Sequence, residues 1–217
     1  MAFPTVTESG GESGSASSHT LTLPSHATGD LLILATCADY ASSVQTWTFN
    51  GSTSAFSELD VRRDGPGVSA YCKYRVMQGG DDSTIVIGTT NTVPLTYQWF
   101  IIPAATFSGV PEAAAIDLAY GSSKDPPSLS PSWGSADTLW IATNCNYLTI
   151  TAYPTNYTSL GQRGSNVMVG SAYRQYASSS DDPSAFTWNY SYYGNAVTIA
   201  IQPAGAAAVG FSQGFIM

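Results

Sequence analysis

The sequence predicts an all-β protein: an antiparallel β-sandwich of jelly-roll type built from an internal duplication. Three observations point there. Apolar residues recur with a period of two along run after run, which is the period of a half-buried strand. No segment carries a helical apolar stripe with caps. Two stretches about a hundred residues apart repeat the same marks in the same order.

The runs justify the strands one by one. "DLLILA" (30–35) is continuously apolar and suits a central strand covered on both sides. "AYCKYRV" (70–76) sets Ala70, Cys72, Tyr74 and Val76 on one face against Tyr71, Lys73 and Arg75 on the other. "VTIAIQ" (197–202) alternates Val197, Ile199 and Ile201 with Thr198, Ala200 and Gln202. Turn-forming clusters such as "QGGDDS" and "SSSDDPS" separate the runs. Trp47, Trp99, Trp140, Trp188, Phe56, Phe100 and Phe186 fall inside strand-like segments and are expected in the core.

The repeat shows best in "DLLILATCADY" (30–40) and "DTLWIATNCNY" (137–147), spaced by 107 residues. After the first come "FSEL", "SAYCKY", "DD" and "IIPA". After the second come "YTSL", "SAYRQY", "DD" and "IQPA", at spacings of 101, 102, 100 and 100. The expected organisation is an N-terminal arm over 1–18, a sandwich over 19–204 and a C-terminal arm over 205–217. Within the sandwich, repeat one covers 19–107, a linker 108–127 and repeat two 128–204. A single sheet of five or six strands leaves an apolar face wet, so two must pair. One sandwich with strands of both repeats in its sheets is the economical arrangement, and two separate small sandwiches are the alternative.

Composition excludes several functions. Of 217 residues, 43% are apolar, enough for a core, but only 10% are charged, against roughly 25% in an ordinary globular chain. Ser, Thr, Gly, Asn and 13 Tyr fill the gap. The net charge is −8 and the seven cations are dispersed, so there is no basic footprint for nucleic acid or an anionic membrane. No basic n-region with an apolar h-region opens the chain, which places its synthesis and folding in a cytoplasm. Cys37, Cys72 and Cys145 are odd in number and at no metal spacing, so reduced, partly buried thiols are expected.

Catalytic chemistry finds little to work with. The two histidines, His19 and His26, lie near the start, and no nucleophile elbow accompanies them. A carboxylate pair facing across a cleft is one reading of Asp30 and Asp137, but each follows a small residue at a strand start and is expected as a turn residue. Asp81-Asp82 and Asp181-Asp182 are expected as solvated turns, with calcium ligation the alternative. No catalytic, cofactor or metal residues are assigned. Binding candidates are clearer. Tyr190, Tyr192 and Tyr193 in "NYSYYGN" form an aromatic cluster able to stack on sugars. Phe3, Phe211, Phe215, Ile216 and Met217 make the terminal arms apolar enough to dock on a neighbour.

"HTLTLPSHATGDLLIL", "DPPSLSPSWGSADTLWIA" and "TAYPTNYTSLGQ" resemble a group of repeat-containing β-sandwich proteins among the structural genes of tailed bacteriophages. The resemblance spans roughly 19–205 and transfers no catalytic residue. It implies a non-enzymatic virion component made in the host cytoplasm. A capsid decoration (cement) protein binding the major capsid protein or other virion proteins leads that reading. Such a protein would work as a homo-oligomer, with a trimer at lattice threefolds as one geometry. A tail-associated adhesin, or a carbohydrate-binding lectin-like sandwich, is the alternative.

Overall fold

The computed structural model describes residues 2–39, 48–50, 56–64, 67–81 and 83–205. Thirteen strands among these residues form two antiparallel sheets. Sheet one holds β1 (Thr7–Thr22), β2 (Leu31–Asp39), β3 (Thr48–Asn50), β4 (Ser57–Asp64), β5 (Val68–Val76) and β6 (Thr84–Ile102). Its order is β1-β6-β2-β5-β4, with β3 also on β6. Sheet two holds β7 (Glu112–Ala113), β8 (Asp117–Lys124), β9 (Ala136–Asn146), β10 (Ile150–Ala152), β11 (Thr158–Arg163), β12 (Met168–Ser178) and β13 (Phe186–Ile201). Its order is β10-β13-β9-β12-β11, with β7 and β8 also on β13.

The sheets stack on one apolar core. Leu31, Ile33, Ala35 and Cys37 of β2, with Phe100 and Ile102 of β6, meet Leu139, Ile141 and Cys145 of β9 and Val197, Ile199 and Ile201 of β13. The other residues of β2, Leu32, Leu34 and Ala38, enter a second cluster on the outer face with Leu21, Ile85, Ile87 and Trp99. That is why "DLLILA" has no polar position. Sheet one covers its own outer face because β6 is 19 residues long. Its later part pairs with β2, and its first part carries β3 and the end of β1 over the outside, past register breaks between Ser13 and Ser18. Sheet two repeats the device on a smaller scale: Phe186 and Trp188 at the start of β13 pack with Ile150 and Ala142.

Several expectations change. Each half of the chain supplies its own sheet, whereas a jelly roll would alternate strands of both halves within a sheet. Among the described residues the long strand of each half gathers only strands of its own half: β6 pairs with β1, β2 and β3, and β13 with β7, β8, β9 and β10. Residues 7–18 are no arm: they are the first three-quarters of β1, paired with β6 from Thr7↔Ile101 onward. Pro4 is buried and its carbonyl accepts a bond from Gln175 Nε2 at 2.8 Å, so the segment before β1 crosses to sheet two. The expected linker 108–127 contains β7 and β8, which extend sheet two along β13.

The cysteine expectation is overturned. Cys37 and Cys145 form a disulfide that staples β2 to β9 across the core, with Cα atoms 5.4 Å apart, and only Cys72 remains a free, buried thiol. The 107-residue spacing of the two motifs also fails as a structural register. Leu32 and Ile101 point to the outer cluster, while the residues the repeat matches to them, Leu139 at a spacing of 107 and Ile201 at a spacing of 100, point into the shared core. Facing residues such as Cys37 and Cys145 are 108 apart. The one-place displacement of the cysteines is therefore what brings both side chains inward.

The paired aspartates are not both solvated. Asp81 forms a buried ion pair with Arg75, which also lies over the Phe56 ring. Asp181 is buried beneath Arg174, and Arg174 in turn stacks on Tyr157 and Tyr176. Each carboxylate offsets the charge of an arginine on the packed strand face. Asp30 does serve a turn, accepting from the amides of Ala27 at 2.8 Å and Ala104 at 3.0 Å. Asp137 instead lies within β9, opposite Ala177. Trp99, Trp140, Phe100 and Phe186 are fully buried, and Trp188 and Phe56 nearly so; Trp47 lies outside the described residues.

A tyrosine-rich end as candidate functional site

The alternation of β2 and β9 carries past the disulfide. Two residues beyond Cys37 is Asp39, and two beyond Cys145 is Tyr147, each on the same face as its cysteine. The Tyr147 phenol donates a hydrogen bond to the Asp39 carboxylate, so the next rung between the sheets is polar. Burial, followed by that bond and the negative charge of Asp39, pushes the Tyr147 phenol well above its ordinary value. It stays protonated and remains a donor.

From Tyr147 a chain of rings leads outward. Tyr147 meets Tyr192 edge to face at a centroid distance of 5.0 Å, Tyr192 meets Tyr193 at 6.3 Å, and Tyr193 meets Tyr120 at 5.1 Å. Tyr193 and Tyr120 are partners in the β13–β8 ladder. A register break between Thr187 and Tyr192 lets β13 bulge and lifts Tyr190 to 72% exposure. Tyr120 is 63% and Tyr192 38% exposed. The turn between β4 and β5 closes on the rings at Gly67, whose φ of 93° and missing Cβ allow the approach; a Cβ there would lie 3.0 Å from Tyr192.

Buried amides support this end from beneath. Asn144 Nδ2 donates to the Asn195 carbonyl at 2.9 Å, and Asn195 Nδ2 crosses to the Val68 carbonyl of sheet one at 3.2 Å. Asn146 Oδ1 accepts from the Leu148 amide at 2.7 Å and so shapes the turn after Tyr147. A cavity of about 10 Å³ lies beside the disulfide, among Ala35, Cys72, Cys145 and Asn195. It has the size of one water molecule.

The structure brings Tyr190, Tyr192 and Tyr193 together on one strand, as the sequence placed them, and adds Tyr120, Tyr147 and Asp39, which sequence reasoning missed. The missed signal was parity: Cys37-x-Asp39 and Cys145-x-Tyr147 are facing pairs once the cysteines are seen to face each other. Phe3 is half-buried beside the docked Pro4, whereas Phe211, Phe215, Ile216 and Met217 lie outside the described residues. His19 is buried with Nδ1 2.9 Å from Ser13 Oγ, and His26 Nδ1 lies 2.7 Å from the Pro24 carbonyl. No group of three or more His, Cys, Asp or Glu side chains among the described residues is arranged to hold a metal.

A second concavity, of about 260 Å³, opens between β4 and β7 and is lined by Glu58, Tyr74 and Glu112. Both carboxylates are engaged in the fold: Glu58 accepts from the Tyr71 phenol, and Glu112 from the amide of Ser132 at 2.9 Å and from its hydroxyl. The tyrosine-rich end is therefore the stronger candidate. Comparison with protein-family models, with curated proteins and with solved structures returned no match.

Proposed function

We propose that this chain is a non-enzymatic structural protein of a bacteriophage virion that decorates the head surface and holds to it by strand addition. Beside the sequence resemblance, one observation carries the reading: β1 is a 16-residue edge strand, paired among the described residues with β6 alone. From Thr7 to Ser13 its pairing is unbroken and the segment contains no Lys, Arg or Pro. Its two acids are engaged by the β11–β12 hairpin of sheet two, Glu8 by Arg163 at 2.6 Å and the exposed Glu12 by the Ser165 hydroxyl at 2.8 Å. Proteins that must avoid partners blunt such an edge with charge, proline or a covering loop. Left open, it adds a neighbour's strand through main-chain hydrogen bonds.

Two further features support the reading. The Cys37–Cys145 staple suits a protein that works outside a reducing cytoplasm, as a released particle does. Lys124, Arg163, Arg174 and Arg75 are each committed to an acid of the same chain. A lattice partner is then held by area, on the order of 1,000 Å² per interface, and by repetition over many sites.

The test is co-purification with intact particles. The wild-type chain is expected at a copy number comparable to the major capsid protein, and the Thr7→Lys, Ser9→Lys variant is expected to detach while melting at an unchanged temperature. A handful of copies per particle would replace decoration with a tail-associated role. Retention of the edge variant at full copy number would remove strand addition as the mode of attachment.

A further inference from the structure

We propose that the tyrosine-rich end is a binding site for a neutral saccharide, formed by Tyr120, Tyr147, Tyr190, Tyr192 and Tyr193 with the Asp39 carboxylate as its polar anchor. The site is separate from the β1 edge, and its test needs no particle.

The chemistry of the surface selects the ligand class. Of the large apolar side chains exposed among the described residues, Val110 is the single aliphatic; the others are Tyr120, Tyr176, Tyr190 and Tyr192. A protein-binding patch normally centres on aliphatic, Met, Phe or Trp anchors packed dry, and it needs several hundred Å² per side. Among the described residues this end offers ring faces, phenol hydroxyls and the Asp39 carboxylate. Such a surface fits a pyranose, whose C–H faces lie on a ring and whose equatorial hydroxyls exchange hydrogen bonds with phenols.

Charge narrows the class. Among the described residues the cluster comprises five tyrosines and one carboxylate, and the Tyr147 phenol donates to that carboxylate. A sialylated, sulfated or phosphorylated sugar would bring further negative charge to a chain whose net charge is already −8. A neutral sugar brings hydroxyl donors to the Asp39 carboxylate instead. The edge-to-face ring chain gives successive steps at 5.0, 6.3 and 5.1 Å, which present faces in alternating orientation to an extended oligosaccharide.

The platform is fixed before any ligand arrives. Asp39 and Tyr147 stand two residues beyond a disulfide, and Asn195 ties β13 to sheet one just below Tyr193. Little ordering entropy remains to be lost on binding, which is what allows a small, shallow surface to hold a sugar.

The experiment uses the purified full chain on an array of neutral and acidic glycans, followed by calorimetry with cellohexaose, maltohexaose, chitohexaose and mannohexaose. At least one neutral oligosaccharide is expected to bind at millimolar affinity or better. Tyr120→Ala and Tyr192→Ala, both at exposed positions, are expected to weaken it by about tenfold or more, a loss of about 1.4 kcal/mol. Tyr176→Ala, an exposed tyrosine elsewhere, is expected to leave it unchanged. Melting temperatures confirm that the variants are folded. No binding to any neutral glycan overturns the proposal, as does binding confined to acidic glycans or binding that survives Tyr120→Ala and Tyr192→Ala together. Loss of particle attachment in those variants without any saccharide affinity also overturns it, and assigns the surface to a protein partner.

Discussion

Tyr147 donates its phenol hydrogen to Asp39 one rung beyond the disulfide that joins Cys37 to Cys145. The two links share a geometry: facing positions at the ends of β2 and β9, separated by one pleat. The inner rung is covalent and apolar, buried among Ala70, Val169 and Val197. The outer rung is polar and opens onto the tyrosines. Core and candidate site are thus consecutive steps of the same two strands.

Breaking the inner rung is expected to cost about 2–5 kcal/mol, since the bond closes a loop of more than a hundred residues in the unfolded chain. Cys145→Ser, with Cys37 also changed to Ser, should lower the unfolding free energy by that amount, read from the fall in the urea midpoint. Reductant should do the same to the wild type and nothing further to the variant. Thiol titration adds a check. Burial pushes the Cys72 thiol up to about 12, so native protein should show no reactive thiol, denatured protein one, and reduced denatured protein three.

The two aspartates of "SSSDDPS" should behave differently. Asp181 binds Arg174 and the Tyr157 phenol from a buried position, while Asp182 is exposed. Asp181→Asn leaves Arg174 without its counter-ion and is expected to destabilise by about 3–5 kcal/mol. Asp182→Asn should stay within about 0.5 kcal/mol of wild type. Urea unfolding of the two variants checks both, and equal effects would contradict the burial of Asp181.

Fold class was legible because strand patterning is a local property: β5 and β13 alternate with a period of two, and β2 is a short, continuously apolar run. The segregation of one half per sheet was not legible. It depends on how far β6 and β13 extend, and nothing in "TIVIGTTNTVPLTYQWFII" marks where a 19-residue strand bends. The disulfide was hidden for a related reason. Matching residues by identity set Cys37 against Asn144, and only the facing of the strands shows that Cys145 is the partner. Asp81 and Asp181 looked solvated because turn composition says nothing about an arginine on the preceding strand. Tyr190, Tyr192 and Tyr193 were visible as a local cluster, whereas Tyr120 and Tyr147 reach it through pairing and stacking across strands.

Gly164 sits in the turn between β11 and β12 at a φ of 98°, where a side chain is strained. A Cβ there would also run into the Val167 carbonyl and the Thr96 hydroxyl. Those two groups form a bond between the sheets, Thr96 Oγ1 donating to Val167 O at 2.6 Å. Gly164→Ala is therefore expected to cost more than the usual αL penalty, about 2–3 kcal/mol. Thr96→Val removes the hydroxyl alone and should cost about 1–2 kcal/mol. Because both act on one contact, the double variant should fall short of the sum, which a thermal double-mutant cycle measures.

His19 supplies an acid limb to stability. It is buried on β1 beside the outer core of sheet one, and desolvation holds its imidazole below the ordinary value despite an opposing backbone bond from Ala16. The folded state thus keeps His19 neutral, while the unfolded chain takes up a proton near pH 6.5. Below that pH the unfolded state binds more protons than the native one, so stability falls as pH decreases. The stabilisation is complete above about 6.5 and is lost as pH falls through the folded value. His19→Gln keeps a polar group at the site but cannot titrate. Its unfolding free energy should be lower than wild type at pH 7.5, and the gap should narrow steadily towards pH 5. A constant gap across that range would mean that His19 takes up its proton equally in the folded and unfolded chain, and a widening gap that folding favours its charged form.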